Sequence, residues 1–356
     1  MYIVGLDIAK RKAQVCVTTG DGTAIEERSV VQRPEELSAF FAKYPGSRVL
    51  VEASTSAEWV ARHLESLGHD VVVADPRFRL MYAAGDKKIK TDRRDARALA
   101  VALRVGAYRR AHRKSDEARA LALKVKLRAG LVRARTRLIQ QVRAACEYEG
   151  EILPACSTRL FTELVLETRM RDDLADAIEP TVLQIANLQL AIDRVDDELD
   201  ELSKADATVA RLKSVRGIGP LTATMFRATL DDVDRFKSAK EMTSYLGLVP
   251  SQSSSGDAKA RLGRITKTGD GLLRSYLVEA AHLIMSKRTA DSPLKRWALQ
   301  VSARRGKKKA VVALARKLAR ILFAMWRDGS DFDTSKTNAP VAAPLAERPA
   351  EEAPTS

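Results

Sequence analysis

The sequence predicts two architectures in one chain, a mixed α/β region followed by mostly helical segments. Strand-like apolar runs alternate with helical ones up to Arg113 and then stop, a heptad seam appears between Ile185 and Leu202, and charge is segregated into blocks. At 356 residues, 45% hydrophobic and only 5% aromatic, the chain is long enough for two or three domains with aliphatic cores.

"IVGLDIA" reads as an apolar strand interrupted by Asp7, and "AQVCVTT" and "TAIEERSVV" as further strands joined by the hairpin turn "TGDGT". Pro34 opens the helix "PEELSAFFAKY". "RVLVEAS" returns as a strand ending in Glu52, "SAEWVARHLESLG" is a helix with Gly68 just past its end, and "HDVVVADP" is another strand. The next helix carries "KTDRRDARAL", in which Asp92 and Asp95 share a face with Leu99 and Leu103. This βββαβαβα order implies a mixed sheet with helices against it. Ser115 to about Glu149 is a long basic helix, broken near "EGEILP". In "TVLQIANLQLAIDRVDDELDELSK", Ile185, Leu188, Ile192, Val195, Leu199 and Leu202 alternate three and four apart, which predicts a coiled-coil hairpin that serves either as a dimer stalk or as packing within its own domain. From Ala207 a helix, a Gly-Ile-Gly-Pro turn and a second helix begin a third region, followed by a Ser/Gly-rich loop, basic residues and a helix. The last segment is rich in Pro, Ala, Ser, Thr and Glu and is expected to be disordered. The expected divisions are 1–112, a helical coiled-coil middle over 113–206, 207–330, and a tail over 331–356.

Formal charge is +15, which favours a polyanionic partner such as nucleic acid. From Lys87 to Arg143 there are 19 Lys or Arg against 4 acids, from Ala144 to Asp206 5 against 16, and from Lys259 to Arg320 17 against 3. Two basic blocks flanking an acidic one suggest a nucleic-acid footprint with an acidic spacer, although any single charge run also fits a solvated face. No apolar run approaches the roughly 20 residues of a spanning helix, and no signal peptide opens the chain, so no membrane partner and a cytoplasmic location are expected. Three isolated cysteines and four scattered histidines argue against zinc or a disulfide framework.

Asp7, Glu52, Asp92 and Asp95 carry the candidate chemistry. Each alone fits a capping or buried role, and the pair on the helix also fits acidic first-turn residues favoured by the helix dipole. Together, on neighbouring strands and the following helix, they can converge on one or two Mg²⁺ ions suited to phosphodiester chemistry. Lys87, Lys88, Lys90, Arg93 and Arg94 are placed to hold phosphates. Gly217 and Gly219 in "GIGP" fit either a helix-hairpin-helix phosphate contact or a plain interhelical turn. "RRGKKK" (Arg304, Arg305, Lys307, Lys308, Lys309) precedes "AVVALARKLARILFAMW", an amphipathic helix whose basic face fits either a nucleic-acid backbone or solvent; Trp326 on it is expected in the core.

"VGLDIAK", "LVEAS" and "KTDRRDARAL" resemble the blocks of the RuvC-like domain that opens transposases of the insertion-sequence-110 family. "VRGIGPLTA" and "YLGLVPSQSSSGDAKARLGRITKTGDGLLRSYLVEAA" resemble that family's C-terminal transposase domain. The resemblance implies an RNase H-like (RuvC-like) first domain and a mostly helical C-terminal transposase domain. It also implies a recombinase whose carboxylates Asp7, Glu52, Asp92 and Asp95 act with a serine nucleophile, placed at Ser254 or Ser255. Lys259, Arg261, Arg264 and Lys267 after that loop suit neighbouring phosphates. The partners implied are DNA, as element ends and target, a noncoding RNA that bridges them by base pairing, and further copies of the chain in a homo-oligomer. Two other activities remain compatible with these residues: a structure-specific endonuclease in which the carboxylates activate water, and a nucleic-acid-binding scaffold without catalysis.

Overall fold

Short continuous apolar runs form the central strands of a sheet covered on both faces in the first unit, Met1–Lys114. The computed structural model describes residues 1–82, 91–253 and 261–333. Strands β1 (Tyr2–Ile8), β2 (Lys12–Thr19) and β3 (Ala24–Val31) form an antiparallel meander. Helix α1 (Pro34–Phe41), β4 (Arg48–Glu52), α2 (Ala57–Ser66) and β5 (Asp70–Ala74) follow. The sheet order is β3-β2-β1-β4-β5, with β4 parallel to both β1 and β5. A short 3-10 turn, Arg79–Tyr82, and helix α3 (Asp92–Val105) complete the unit.

Because side chains alternate across a strand, each face has its own core. Val4, Leu6, Val49 and Val51 point to one side and pack with Leu37, Phe41, Val60 and Leu64 of α1 and α2. Ile3, Leu50 and Val72 point to the other and pack with Leu99 and Leu103 of α3. This parity decides where the acids go, since Asp7 and Glu52 share the α3 side with Ile3 and Leu50.

The second unit, Ser115–Ser356, is built on helices. Ser115 caps α4 (Asp116–Tyr148), its side chain accepting from the Ala118 N–H. After α5 (Phe161–Glu167), helix α6 (Asp172–Ala205) runs back antiparallel to α4, as the pairings Lys124–Glu198, Arg128–Asp196 and Arg135–Gln189 show. It starts well before the heptad seam and continues through Pro180, an interior position at which one i→i−4 hydrogen bond of the helix is lost. Of the seam residues, Ile185, Ile192 and Leu199 are buried, Leu188 and Val195 half-buried, and Leu202 is exposed. Alternate residues of the seam are therefore covered within one chain, and the remainder keep partial exposure. Helices α7 (Ala207–Leu212), α8 (Pro220–Leu230) and α9 (Ala239–Tyr245), the strands β6 (Pro250–Ser253) and β7 (Arg261–Ile265), and helices α10 (Gly271–Met285), α11 (Pro293–Arg305) and α12 (Lys307–Asp328) follow. Their apolar faces share one core that takes in Val125 and Leu199 at the base of the long hairpin, while its far half has a separate core built on Ile139, Val142, Phe161, Ile178 and Ile185. The two short strands form a hairpin in a region whose sequence reads only as a loop. The expected tail lies outside the described residues from position 334 onward. Among the described residues, no helix is long and apolar enough to cross a membrane.

Candidate active site and basic surfaces

Three strands place one row of residues beneath α3: Glu27 on β3 pairs with Cys16 on β2, which pairs with Gly5 on β1. At Gly5 the helix lies directly on the sheet, and a Cβ there would stand 2.0 Å from the Ala96 carbonyl oxygen and 2.4 Å from the Ala100 nitrogen. Such an approach is open only to glycine. It also fixes α3 lengthwise, because Ala96, Ala100 and Cys16 form a small buried cluster of their own. Asp95 immediately precedes Ala96, and Asp7 lies two residues beyond Gly5 on the same face.

Glu52 ends β4 one step from Asp7, since Leu6 pairs with Val51 in the parallel register. The Tyr82 hydroxyl donates to Glu52 Oε2. Burial raises the Tyr82 phenol well above its ordinary value, and the hydrogen bond to Glu52 and the charges of Glu52, Asp7 and Asp95 push it further the same way. Three of the four sequence-predicted acids thus bear on one hydroxyl. Asp92 stands exposed a turn earlier, in the first turn capped by Thr91, whose side chain accepts from the Arg94 N–H. Asp7, Glu52 and Asp95 are half-buried. All four are oxygen donors of the kind a hard divalent cation takes. Among the described residues, however, no three acids stand close enough together to hold a metal ion. The set is gathered but not closed, with Glu52 engaged by Tyr82.

The arginines beside the acids have a structural assignment. Arg93 Nε donates to Glu27 Oε2 at 2.6 Å, and Arg97 makes a two-pronged contact with the same carboxylate. These bonds, led by the one from Arg97, hold the Glu27 carboxyl down at about 2 against the opposing effect of burial. They tie the start of α3 to the edge strand. Lys87, Lys88 and Lys90 lie outside the described residues.

In the second unit, β6 and β7 pair Ser253 with Arg261, bringing together the two ends of segment 254–260. Ser254, Ser255 and Lys259 themselves lie outside the described residues. The base of the hairpin is locked by two glycines: a Cβ on Gly247 would meet the Thr268 oxygen at 2.2 Å, and one on Gly269 the Tyr245 oxygen at 2.2 Å, both at positive φ. Arg274 Nη1 reaches across this base, donating to the Leu246 and Thr268 carbonyls at 3.1 and 2.7 Å. Arg264 is exposed on β7, and exposed Lys267 adopts φ 56°, uncommon for a side chain.

Gly217, at φ 87°, packs toward α10, where a Cβ would lie 3.2 Å from the Ala280 oxygen. That contact accounts for the first glycine of "GIGP" as an interhelical turn, while Gly219 is exposed at the start of α8. Arg304 and Arg305 end α11, and Lys307, Lys308 and Lys309 open α12, all exposed. Lysines at a helix N-terminus oppose the macrodipole, an arrangement with no local benefit to stability. Trp326 packs against the core, with its ring 6.4 Å from Phe226.

Gly5, Tyr82, Glu27 and Arg274 are not singled out by sequence patterns. The signal for Gly5 was present, as a glycine on a buried strand marks close backbone approach. Tyr82 and Glu27 lie 30 residues or more from their partners and carry no local signature.

Residues 209–296 match the family described as Transposase IS116/IS110/IS902, and residues 4–147 match a DEDD family of IS110 type described as Transposase. A probable family 20 transposase of Pseudomonas aeruginosa is 33% identical over 336 residues, which span 90% of this chain and 96% of that protein. The transposase for insertion sequence element IS1111A of Coxiella burnetii is 30% identical over 91% of this chain and 89% of its own. The transposase for insertion sequence element IS1328 of Yersinia enterocolitica is 28% identical over 93% and 98%.

Proposed function

Because the chain belongs to the IS110 family of insertion-sequence transposases, enzymes that cut and rejoin DNA, we propose that it does so with a carboxylate site in the first unit and a serine in the second. The observation that carries this reading is that Asp7 and Glu52 lie side by side on adjacent strands, on the sheet face that α3 covers, with Asp95 in the first turn of that helix. The strand order and the helix over Gly5 support an RNase H-like arrangement for that unit. Asp7, Glu52, Asp92 and Asp95 would hold a divalent cation such as Mg²⁺, with Glu52 exchanging its tyrosine partner. When bound, the cation supplies positive charge that stabilises a phosphodiester as it reacts.

Ser254 or Ser255 is the proposed nucleophile. Its Oγ forms a bond to phosphorus as one bridging P–O bond of the strand breaks, the hydroxyl proton passes to a base, and the departing DNA oxygen takes up a proton. The phosphoserine link keeps the bond energy, so a DNA hydroxyl can reverse the step without ATP. Arg264 and Lys267, exposed at the far side of the hairpin, suit phosphates beside the reacting one. A bridging noncoding RNA that pairs with element ends and target, and a homo-oligomer acting on several ends, belong to the same proposal. Support for the RNA is the family resemblance and the basic surface.

The reading is tested by a cell-based excision assay on a marked element. Asp7→Asn, Asp95→Asn and a Ser254→Ala/Ser255→Ala double variant are each expected to abolish excision while DNA binding persists. Full excision by either aspartate variant refutes the carboxylate site.

A further inference from the structure

A cavity of about 1670 Å³ opens in the second unit between β7 and helices α11 and α12. Small-molecule pockets hold roughly 300–1,000 Å³, so this one is sized for a segment of polymer. Its lining has two characters. Leu248, Ile265, Val312, Ile321 and Met325 supply an apolar floor, with Trp297 on one wall. Lys and Arg dominate the remainder, with Arg316, Lys317 and Arg320 spaced along α12 so that all three reach the same opening. Asp328, Asp331 and Asp333 stand at the C-terminal end, where Asp331 pairs with Arg211 at 3.6 Å.

Two of the cations on α12 differ from most arginines elsewhere in the chain. Among the described residues, neither Arg316 nor Arg320 makes an ion pair, and the buried Arg316 Nε finds no hydrogen-bond acceptor. Lys317 Nζ stands 4.5 Å over the Trp297 ring. Burial, and then the charge of Arg320, lowers the pKa of both Arg316 and Lys317, the effect of like charges crowded in a half-buried place.

We propose that this groove seats an unpaired DNA strand, its phosphates on Arg316 and Arg320 and its bases against the apolar floor and the Trp297 wall. A duplex keeps its base faces inside the stack and would offer phosphates alone, leaving the floor uncovered. An unpaired strand presents both surfaces, and single-strand sites combine a basic track with apolar or aromatic platforms for that reason. The DNA assignment follows from position: Arg264, Ile265 and Lys267 line the groove and lie four to seven residues after segment 254–260. It therefore rests on the reading of that segment as the serine loop, past which the cut strand must run.

Binding by the full-length chain is measured by fluorescence anisotropy against salt, with short labelled oligonucleotides of unpaired DNA, unpaired RNA of the same sequence, and blunt duplex DNA. Arg320→Gln, at an exposed position, keeps the fold as judged by its melting curve. It should lower the slope of log affinity against log salt by about 0.7 on unpaired DNA, the value for one phosphate contact on a single strand, with Arg316→Gln/Arg320→Gln lowering it by about 1.4. The duplex slope should not change. An equal loss on duplex, a larger loss on RNA than on DNA, or no loss at all overturns the proposal. The readout needs no cleavage, so failure of the carboxylate or serine assignments in the excision assay would leave the binding result standing on its own.

Discussion

Gly5 decides more about the site than its size suggests. A methyl group there would meet backbone atoms of α3 at 2.0 and 2.4 Å, and backbone cannot swing aside as a side chain can. Gly5→Ala should therefore cost roughly 3 kcal/mol, the upper end for overpacked cores, and displace Asp95 from Asp7. A drop in the urea midpoint together with lost excision is the expected outcome; a variant of unchanged stability would show that α3 does not rest on this strand. Glu27 makes a second residue-scale prediction. Its folded-state pKa of about 2 lies below the ordinary 4.5, so its contribution is complete above pH 4.5 and is lost as pH falls through 2. Glu27→Gln should lower stability at neutral pH and flatten the acid limb of the unfolding free energy between those values. An acid limb identical to wild type would contradict the clamp.

Among elements, the pairing of α4 with α6 recasts the charge blocks seen in the sequence. The acidic helix does not act only as a spacer, because Glu198 and Asp196 neutralise Lys124 and Arg128 on the basic one. The heptad seam is filled in the same way, with Ile192 and Leu199 buried in a single chain at 2% and 0% exposure. Ile192→Asp would place a charge in that seam and should cost at least about 3 kcal/mol. Urea unfolding should show the loss, with no change in oligomeric state by light scattering before the chain unfolds. Clean dissociation at unchanged stability would return the seam to an interface between protomers. The strand and helix order up to α3 was legible because apolar runs and helix-end signals are local: Pro34 and Gly68 mark boundaries within a few residues. The partner of the seam was not legible, since a heptad states that a helix face is apolar without stating what covers it. The β6–β7 hairpin escaped because its strands, "PSQS" and "RLGRI", are short and polar, and glycines at their base fix it.

At the scale of the whole molecule, the four acids were legible as residue types on identifiable elements. That Asp7 and Glu52 share the sheet face beneath the helix carrying Asp95 was not, because it depends on strand parity and on the seat of α3 over Gly5. Part of the positive charge serves the fold: Arg93 and Arg97 hold Glu27, and Arg113 holds Glu58 and Glu65. Among the described residues, Arg316 and Arg320 in the groove on α12 make no such ion pair, which is why the proposed strand is seated there. The account's central claim is that the carboxylates and the serine both take part in one reaction on DNA. Its most direct test is a denaturing gel of stopped reactions on end-labelled element DNA. Wild type should give a labelled protein–DNA adduct, the Ser254→Ala/Ser255→Ala variant none, and Asp95→Asn none. Cutting and rejoining by the serine variant at the wild-type rate, without an adduct, would contradict the claim and leave water activated by the carboxylates as the nucleophile.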